Sequence, residues 1–405
     1  MNAVMLPETR ESGMPEPVLP ARVVFLTHFI PLYQVRVLQE IARRVRDFHV
    51  LLSTPIEPNR QFEIDWGGLD VQVQKTLTFR RRWTQAAASG GPGFSDPLFV
   101  HVPYDTRSRL ARLKPDIVMS LELGARSLGA VRYCRRHAAK SIVCTYMSEH
   151  TEQARGVLRK KLREHLIRRA DAITFNGPSC ESYLKQLGAD PQRLYRLSYA
   201  ADDRTAHQGA IERDESAVRN RLLYVGQLSE RKGVIPMIQQ LAEYCRLNPN
   251  RDVELRLAGQ GPRRESVERF DVPENLTLRL LGNLTAADLA KEMLTCGATV
   301  APTLADEWLL VVNEALHAGL PVIGSIYAQA TTSLIRDGEN GWQYDPADPA
   351  SLHTVLDQYY VASDERLRQM RESCQRSIAH CTPAWAAREA IQAIADLTSG
   401  SEASQ

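Results

Sequence analysis

The stretch Ala298-Thr-Val-Ala-Pro-Thr-Leu-Ala-Asp-Glu-Trp-Leu-Leu-Val-Val-Asn-Glu-Ala-Leu-His-Ala-Gly-Leu-Pro-Val-Ile-Gly324 decides how this chain folds. Residues 298–301 read as a short apolar strand. A brief acidic loop follows, then a helix through Glu314, then a second apolar strand at 321–324. Strand, helix, strand is the unit of a parallel sheet covered by helices, in which ligands bind at the carboxyl ends of the strands. Working outward, the same unit recurs. Apolar runs at 221–226, 253–259 and 276–280 belong with it in the second half, and runs at 21–28, 49–53, 115–120, 141–146 and 172–175 form a first half, with helical patterns at 35–45, 123–137 and 179–187 between them.

The chain has 405 residues, more than the roughly 250–300 at which one hydrophobic core stops growing. Two α/β domains are therefore expected, residues 21–200 and 201–380, facing one another across a cleft. The polar run 202–219 reads as a linker and 1–20 as a disordered leader. Residues 381–405 read as a C-terminal helix, with no strand after it, that docks back on the first domain. The run 80–93 (RRRWTQAAASGGPG) has no period and reads as a loop.

Charge divides the molecule. Residues 1–200 hold 30 basic and 19 acidic side chains, a balance of +11, and residues 201–405 hold 20 and 29, a balance of −9. A basic first half fits an anionic partner such as a phosphorylated lipid or a membrane surface. Its densest stretch lies in residues 157–169, where Arg159, Lys160, Lys161, Arg163, Arg168 and Arg169 accompany Leu158, Leu162 and Leu166 at every fourth position. That is a basic amphipathic helix: either the solvated face of a domain helix or a contact with the membrane surface. Nucleic acid is not expected, since the basic residues are not interleaved with aromatics and no zinc finger or RNA-binding signature is present. No apolar run approaches the ~18 residues of a membrane span, and residues 1–20 are acidic and polar where a signal peptide is basic and then apolar. The expected location is the cytoplasm, peripherally at the inner face of the membrane. Seven scattered cysteines without a C-x-x-C pair read as reduced, buried thiols.

Three stretches carry chemistry. In the first, Glu314 is flanked by Val311, Val312, Ala315 and Leu316, so its carboxylate must find donors or shift its pKa. Hydroxyls of a ligand would serve. Glu307 lies seven residues earlier, close to the same helix face at about 100° per residue, and Asp306 stands just before the first turn, where free backbone N–H groups suit an anion. In the second, Gly226-Gln227-Leu228-Ser229-Glu230-Arg231-Lys232-Gly233 places two cations ahead of a helix, an unfavourable position unless they share a phosphate with it. The third is Gly259-Gln-Gly261-Pro-Arg263, a glycine turn after a strand. Phosphate-loop, zincin and nucleophile-elbow motifs are absent, and the glycine turn lacks the third glycine of a dinucleotide fingerprint.

Taken in order, G-Q-L-S-E-R-K-G, L-A-G-Q-G-P, L-L-G-N-L, P-T-L-A-D-E-W-L-L-V-V-N-E-A-L-H-A-G-L-P-V-I-G-S and D-G-E-N-G-W closely resemble family 4 glycosyltransferases, over residues 172–346. Family-like pieces continue into the first half at 114–118, 122–128 and 177–188. The resemblance implies the GT-B fold, two doubly wound Rossmann-like domains across a cleft. It also implies retaining transfer of a hexosyl group, without a metal or other cofactor, from a nucleoside-diphosphate sugar to a glycan or lipid-linked acceptor in bacterial surface polysaccharide synthesis. Asp306 takes the place of the first carboxylate of the E-x7-E motif, against the donor sugar hydroxyls, and Glu314 that of the second, against the ribose. Lys232 corresponds to the lysine that neutralises the leaving diphosphate. Gly226, Gln227, Arg231, Gly259, Gly261, Glu307, Trp308, Leu309 and Leu310 complete the implied donor site. The acceptor-side candidates, all near expected strand ends, are His28, Glu122, Glu149 and His150.

The chain departs from the family at three places. Gln227 stands where many members have arginine, with Arg231 nearby. Leu309 stands where glycine is usual. The loop from Thr27 to Tyr33 lacks the Gly-Gly turn that many members use near the diphosphate. Two other classes stay open on these grounds: a catalytically silent GT-B protein that binds a nucleotide sugar or scaffolds a partner, and a nucleotide-sugar epimerase.

Overall fold

The computed structural model describes residues 18–58, 64–86, 93–153, 156–201 and 213–402. Most of the expected leader and residues 202–212 of the expected linker lie outside these. The first lobe contains β1 (Leu19–Thr27), β2 (Val45–Leu52), β3 (Asp70–Val73), β4 (Thr76–Gln85), β5 (Phe94–Pro103), β6 (Ile117–Leu121), β7 (Lys140–Cys144), β8 (Ala172–Phe175) and β9 (Leu194–Arg196). All but β4 and β5 form one parallel sheet in the order β3-β2-β1-β6-β7-β8-β9. The second lobe contains β10 (Arg221–Val225), β11 (Val253–Ala258), β12 (Leu276–Gly282), β13 (Ala298–Ala301), β14 (Val322–Ser325) and β15 (Gly341–Tyr344), parallel in the order β12-β11-β10-β13-β14-β15.

Burial on both faces makes these strands continuous apolar runs rather than alternating ones. Val23 to Leu26 and Ile117 to Met119 are almost wholly buried in one lobe, and Leu222, Leu223, Val322 and Ile323 in the other. In each sheet the strand order turns back once, between β1 and β6 and between β10 and β13. The crevice at such a reversal is where open α/β sheets hold ligands. The pairing of Leu222 with Ala298 sets Gly226 level with Pro302. Both chemistry-bearing loops of the second lobe thus leave its sheet side by side.

Two sequence expectations change. Residues 80–93 are not a plain loop: β4 and β5 form an antiparallel hairpin in which Thr76 pairs with Pro103 and Gln85 with Phe94. Its turn, 87–92, lies outside the described residues. Residues 213–219 are likewise part of the second lobe rather than linker. Glu215 there holds the fully buried Arg371 at 2.8 and 2.9 Å, and Arg213 donates to the carbonyls of Met293, Cys296 and Ala318.

The helix Pro383–Glu402 returns to the first lobe, where Ala386, Ala387, Ala390, Ala393 and Ile394 pack into one core with Val35 and Leu38 of the helix Leu32–Arg43. Small side chains on that face let the two helices approach closely. The basic helix is Val157–Arg169. Its expected leucine stripe is interrupted, because Leu166 is buried while Leu158 is 86% exposed beside Val157. Arg163 turns inward to pair with Glu152. The seven cysteines are free and buried. Among the described residues no helix is long and apolar enough to cross a membrane.

Candidate functional site

Glycine sets the backbone of the second lobe's crevice. Gly233 has φ +67°, and a Cβ there would overlap the Pro302 carbonyl oxygen. Gly259, with φ +142°, lies so close to the Gly226 carbonyl that no side chain fits. Gly261 meets the Leu228 backbone in the same way. The loops after β10, β11 and β13 are therefore stacked backbone to backbone, with Gly226 N–H donating to Ala258 at 3.0 Å.

This packing brings Lys232 and Asp306, 74 residues apart, to 2.5 Å between Nζ and Oδ2. Arg231 donates to the same carboxylate at 3.2 Å and to the Ala305 carbonyl at 2.8 Å. The Trp308 N–H donates to the other carboxylate oxygen at 3.2 Å. Burial alone would raise the Asp306 carboxyl; the two neighbouring cations outweigh it and hold the group down at about 2. One carboxylate thus gathers two cations, a pair with the charge and donors to hold a phosphate.

Sequence reasoning missed the third component, which comes from the other lobe. The hairpin lays Asp96 against this loop, where it accepts from Ser229 Oγ at 2.7 Å and lies 3.8 Å from Arg231 Nε. The Trp83 ring sits 5.4 Å from the Arg231 guanidinium, and Ser95 N–H donates to Glu230 at 2.9 Å. An Arg-rich run followed by Gly and Pro hides a strand whose partners are more than 130 residues away.

Glu314 stands on the short helix Val311–His317, half-buried. Among the described residues its carboxylate has no hydrogen-bond or ionic partner, and burial pushes it up to about 7. Leu309, 8% exposed, has φ +83°. This is the left-handed region that disfavours L-residues with a side chain, so Leu309 holds a conformation ordinarily taken by glycine. Leu310 precedes the helix without a side-chain cap, its carbonyl accepting from Glu314 N–H at 3.2 Å. Gln227 holds its neighbours through its backbone, its carbonyl accepting from Tyr224 Oη at 2.7 Å.

The remaining calls divide. Glu307 does not share the face of Glu314, because the helix begins only at Val311. Its carbonyl accepts from Asn176 of the first lobe at 2.7 Å, and its charge helps raise the Tyr146 and Tyr199 phenols, whose shifts come first from burial. The Trp308 ring also turns to that side, stacking on Tyr199 at 5.7 Å and donating to Asn313 at 2.8 Å. The Trp308 ring thus faces the first lobe rather than the Lys232 cluster.

Of the acceptor-side candidates, His150 reaches the second lobe. Its Nε2 lies 2.8 Å from the Leu304 carbonyl and its ring stacks on Tyr327 at 4.5 Å. His28 and Glu122 sit together at the β1/β6 reversal, 3.8 Å apart, with Glu122 at φ +76°. Glu149 points outward to Gln186. Among the described residues no group of three His, Cys, Asp or Glu could hold a metal ion.

Two facing α/β lobes, each with its strand order reversing at the cleft, define the GT-B glycosyltransferase fold. Residues 219–360 match the family model described as Glycosyl transferases group 1. The MMP α-(1→4)-mannosyltransferase of Mycolicibacterium hassiacum is 23% identical over 211 residues, 51% of this chain and 49% of that one. The match thus spans about half the length of that curated relative. HepE from Anabaena in complex with UDP superposes with a TM-score of 0.67 at 14% identity, covering 93% of this chain and 100% of that one. In complex with UDP-glucose it gives 0.66 at 14%, covering 94% and 100%. Sucrose-phosphate synthase from Thermosynechococcus elongatus gives 0.67 at 14%, again covering 94% and 100%.

Proposed function

We propose that this protein is a retaining, metal-independent glycosyltransferase that moves a hexosyl group from a nucleoside-diphosphate sugar to a glycan or lipid-linked acceptor in surface polysaccharide synthesis. The observation that carries the reading is the Lys232–Asp306–Arg231 cluster at the sheet reversal. An incoming diphosphate competes with Asp306 for Lys232 and Arg231. Once these cations turn to phosphate, Asp306 is free to accept from sugar hydroxyls. As the glycosidic bond breaks, negative charge grows on the departing diphosphate, and prepositioned cations stabilise it most in the transition state. Glu314, unpartnered among the described residues, has acceptor capacity for ribose hydroxyls.

The Anabaena relative's structures hold UDP and UDP-glucose, which supports a nucleotide-sugar donor here. The exposed Val157 and Leu158 beside Arg159, Lys160 and Lys161 support an acceptor met at an anionic membrane face on the cytoplasmic side.

The test is incubation with a panel of UDP-, GDP- and ADP-sugars, measuring released nucleotide with and without candidate acceptors. Release that Lys232→Gln abolishes supports the reading; no release with any donor, in a protein that still binds nucleotide, favours the silent alternative. Leu309 is the observation behind that alternative, since its side chain stands where the family's glycine leaves open space. Interconversion of donor sugars without acceptor would instead mark an epimerase.

A further inference from the structure

On the hinge side of the Asp306–Glu314 segment, away from Lys232, lies a cavity of about 260 Å³. That is well above the ~10–15 Å³ a single water requires. Its walls come from both lobes and from both places where the chain crosses between them: Arg196 and Ser198 at the first crossing, His380 and Trp385 at the second, Ser333 and Arg336 from the second lobe. Among the described residues no carboxylate lines it, while two guanidiniums do. Three residues of the wall carry buried polar atoms without a hydrogen-bond partner: Arg196 Nε, Asn176 Oδ1 and Asn313 Nδ2. Asn176 and Asn313 are 1% and 0% exposed. These three atoms have almost no accessible surface, so they back the wall rather than face the cavity.

We infer that this cavity is a second ligand site, distinct from the donor crevice, for a small hydroxylated anion of the sugar monophosphate class. Guanidiniums select a phosphate, and Arg336 would exchange its exposed pairing with Glu339 at 3.8 Å for it. The hydroxyls of Ser198 and Ser333 match sugar hydroxyls. The indoles of Trp308 and Trp385 offer apolar faces to ring C–H groups. A ligand held by Arg196 of one lobe and Arg336 of the other fixes the angle between the lobes. It also touches the donor site through one residue: Trp308 lines the cavity, donates from its backbone to Asp306, and donates from its indole to Asn313 beside Glu314. Occupancy there and donor affinity are therefore coupled, each changing the other by the same factor.

The inference does not depend on transfer activity, so binding is measured directly on the full chain by calorimetry. The probes are glucose 6-phosphate, mannose 6-phosphate and glucose 1-phosphate, with inorganic phosphate and glucose as controls. Binding of a hexose phosphate is expected to weaken at least about tenfold in Arg336→Glu and in Arg196→Gln, and to stay within about twofold in Lys232→Gln, whose change lies in the donor crevice. The Arg336 side chain is 75% exposed, so that variant keeps its fold; equal melting midpoints of variant and wild type check this. The inference is overturned if no probe binds, if Lys232→Gln weakens binding and the arginine variants do not, or if inorganic phosphate binds as tightly as the hexose phosphates.

Discussion

Replacing Glu314 by glutamine should make the protein more stable at pH 8 and leave it nearly unchanged at pH 4. Burial raises this carboxyl from 4.5 to about 7 in the folded chain. Between those values the unfolded chain has released the proton that the folded chain still holds, so the folded state loses stability as pH rises from about 4.5 towards 7, and the loss is complete above 7. A shift of about 2.5 pKa units at ~1.36 kcal/mol each is about 3 kcal/mol, an upper bound because water entering the crevice would lessen it. Glutamine has no proton to lose and escapes this term. For a lobe of about 200 residues, ~3 kcal/mol corresponds to roughly 6–12 °C in the melting midpoint at pH 8, shrinking to about a quarter of that at pH 5 and to nearly nothing at pH 4. The assay is thermal unfolding of both proteins at matched ionic strength, comparing their difference at each pH so that other titrating groups cancel. Donor binding should run the opposite way. A ribose hydroxyl donating to the ionised carboxylate favours that form, so wild-type affinity falls as pH drops from 8 to 6 while the glutamine variant binds weakly throughout. Parallel stability curves for the two proteins between pH 5 and 8 would refute the account of Glu314 as a buried, unpartnered acceptor.

Lys232→Gln should lower turnover by about two orders of magnitude or more and lower the melting midpoint modestly, since Arg231 still pairs with the buried Asp306; nucleotide release and thermal unfolding read the two, and full turnover would remove Lys232 from the reaction. Asp96→Asn leaves Arg231 without its second carboxylate, and a several-fold drop in kcat/KM with intact folding is expected; an unchanged value would make the hairpin contact structural only. Leu309→Ala and Leu309→Gly both remove the same buried side chain, but only glycine relieves the left-handed backbone, so Gly should exceed Ala in stability by about 1–2 kcal/mol by urea unfolding. Equal stabilities would place the segment in another conformation. Glu215→Gln should destabilise the second lobe by about 3–5 kcal/mol, since Arg371 at 0% side-chain exposure loses its counter-charge, and adding Arg371→Met should recover much of it.

What could be seen in the sequence and what could not follow from one physical distinction. The parallel strands and the loops behind Gly226 and Ala301 were legible because each is declared by neighbours a few residues away, through unbroken apolar runs and through glycines at strand ends. The hairpin was not. Its strands TLTFRRRWTQ and FSDPLFVHVP are mostly exposed or half-exposed, so no apolar period announces them, and Ser95 and Asp96 find their partners in Glu230 and Ser229. Trp308 was misjudged for the same reason: nothing local says that its ring turns to Tyr199 and the hinge while its backbone serves Asp306. Leu309 joins the two kinds of information. Residue type alone predicts a relaxed backbone there, yet φ stays at +83°, because the segment is held at both ends, by Asp306 on the cations and by the Trp308 and Leu309 carbonyls, which accept from Ala330 and Val312 N–H. A conformation disfavoured by about 1–2 kcal/mol persists only where its surroundings over-determine it. The loop geometry is therefore fixed by the whole crevice, and the leucine sits in a path of the backbone that it did not choose.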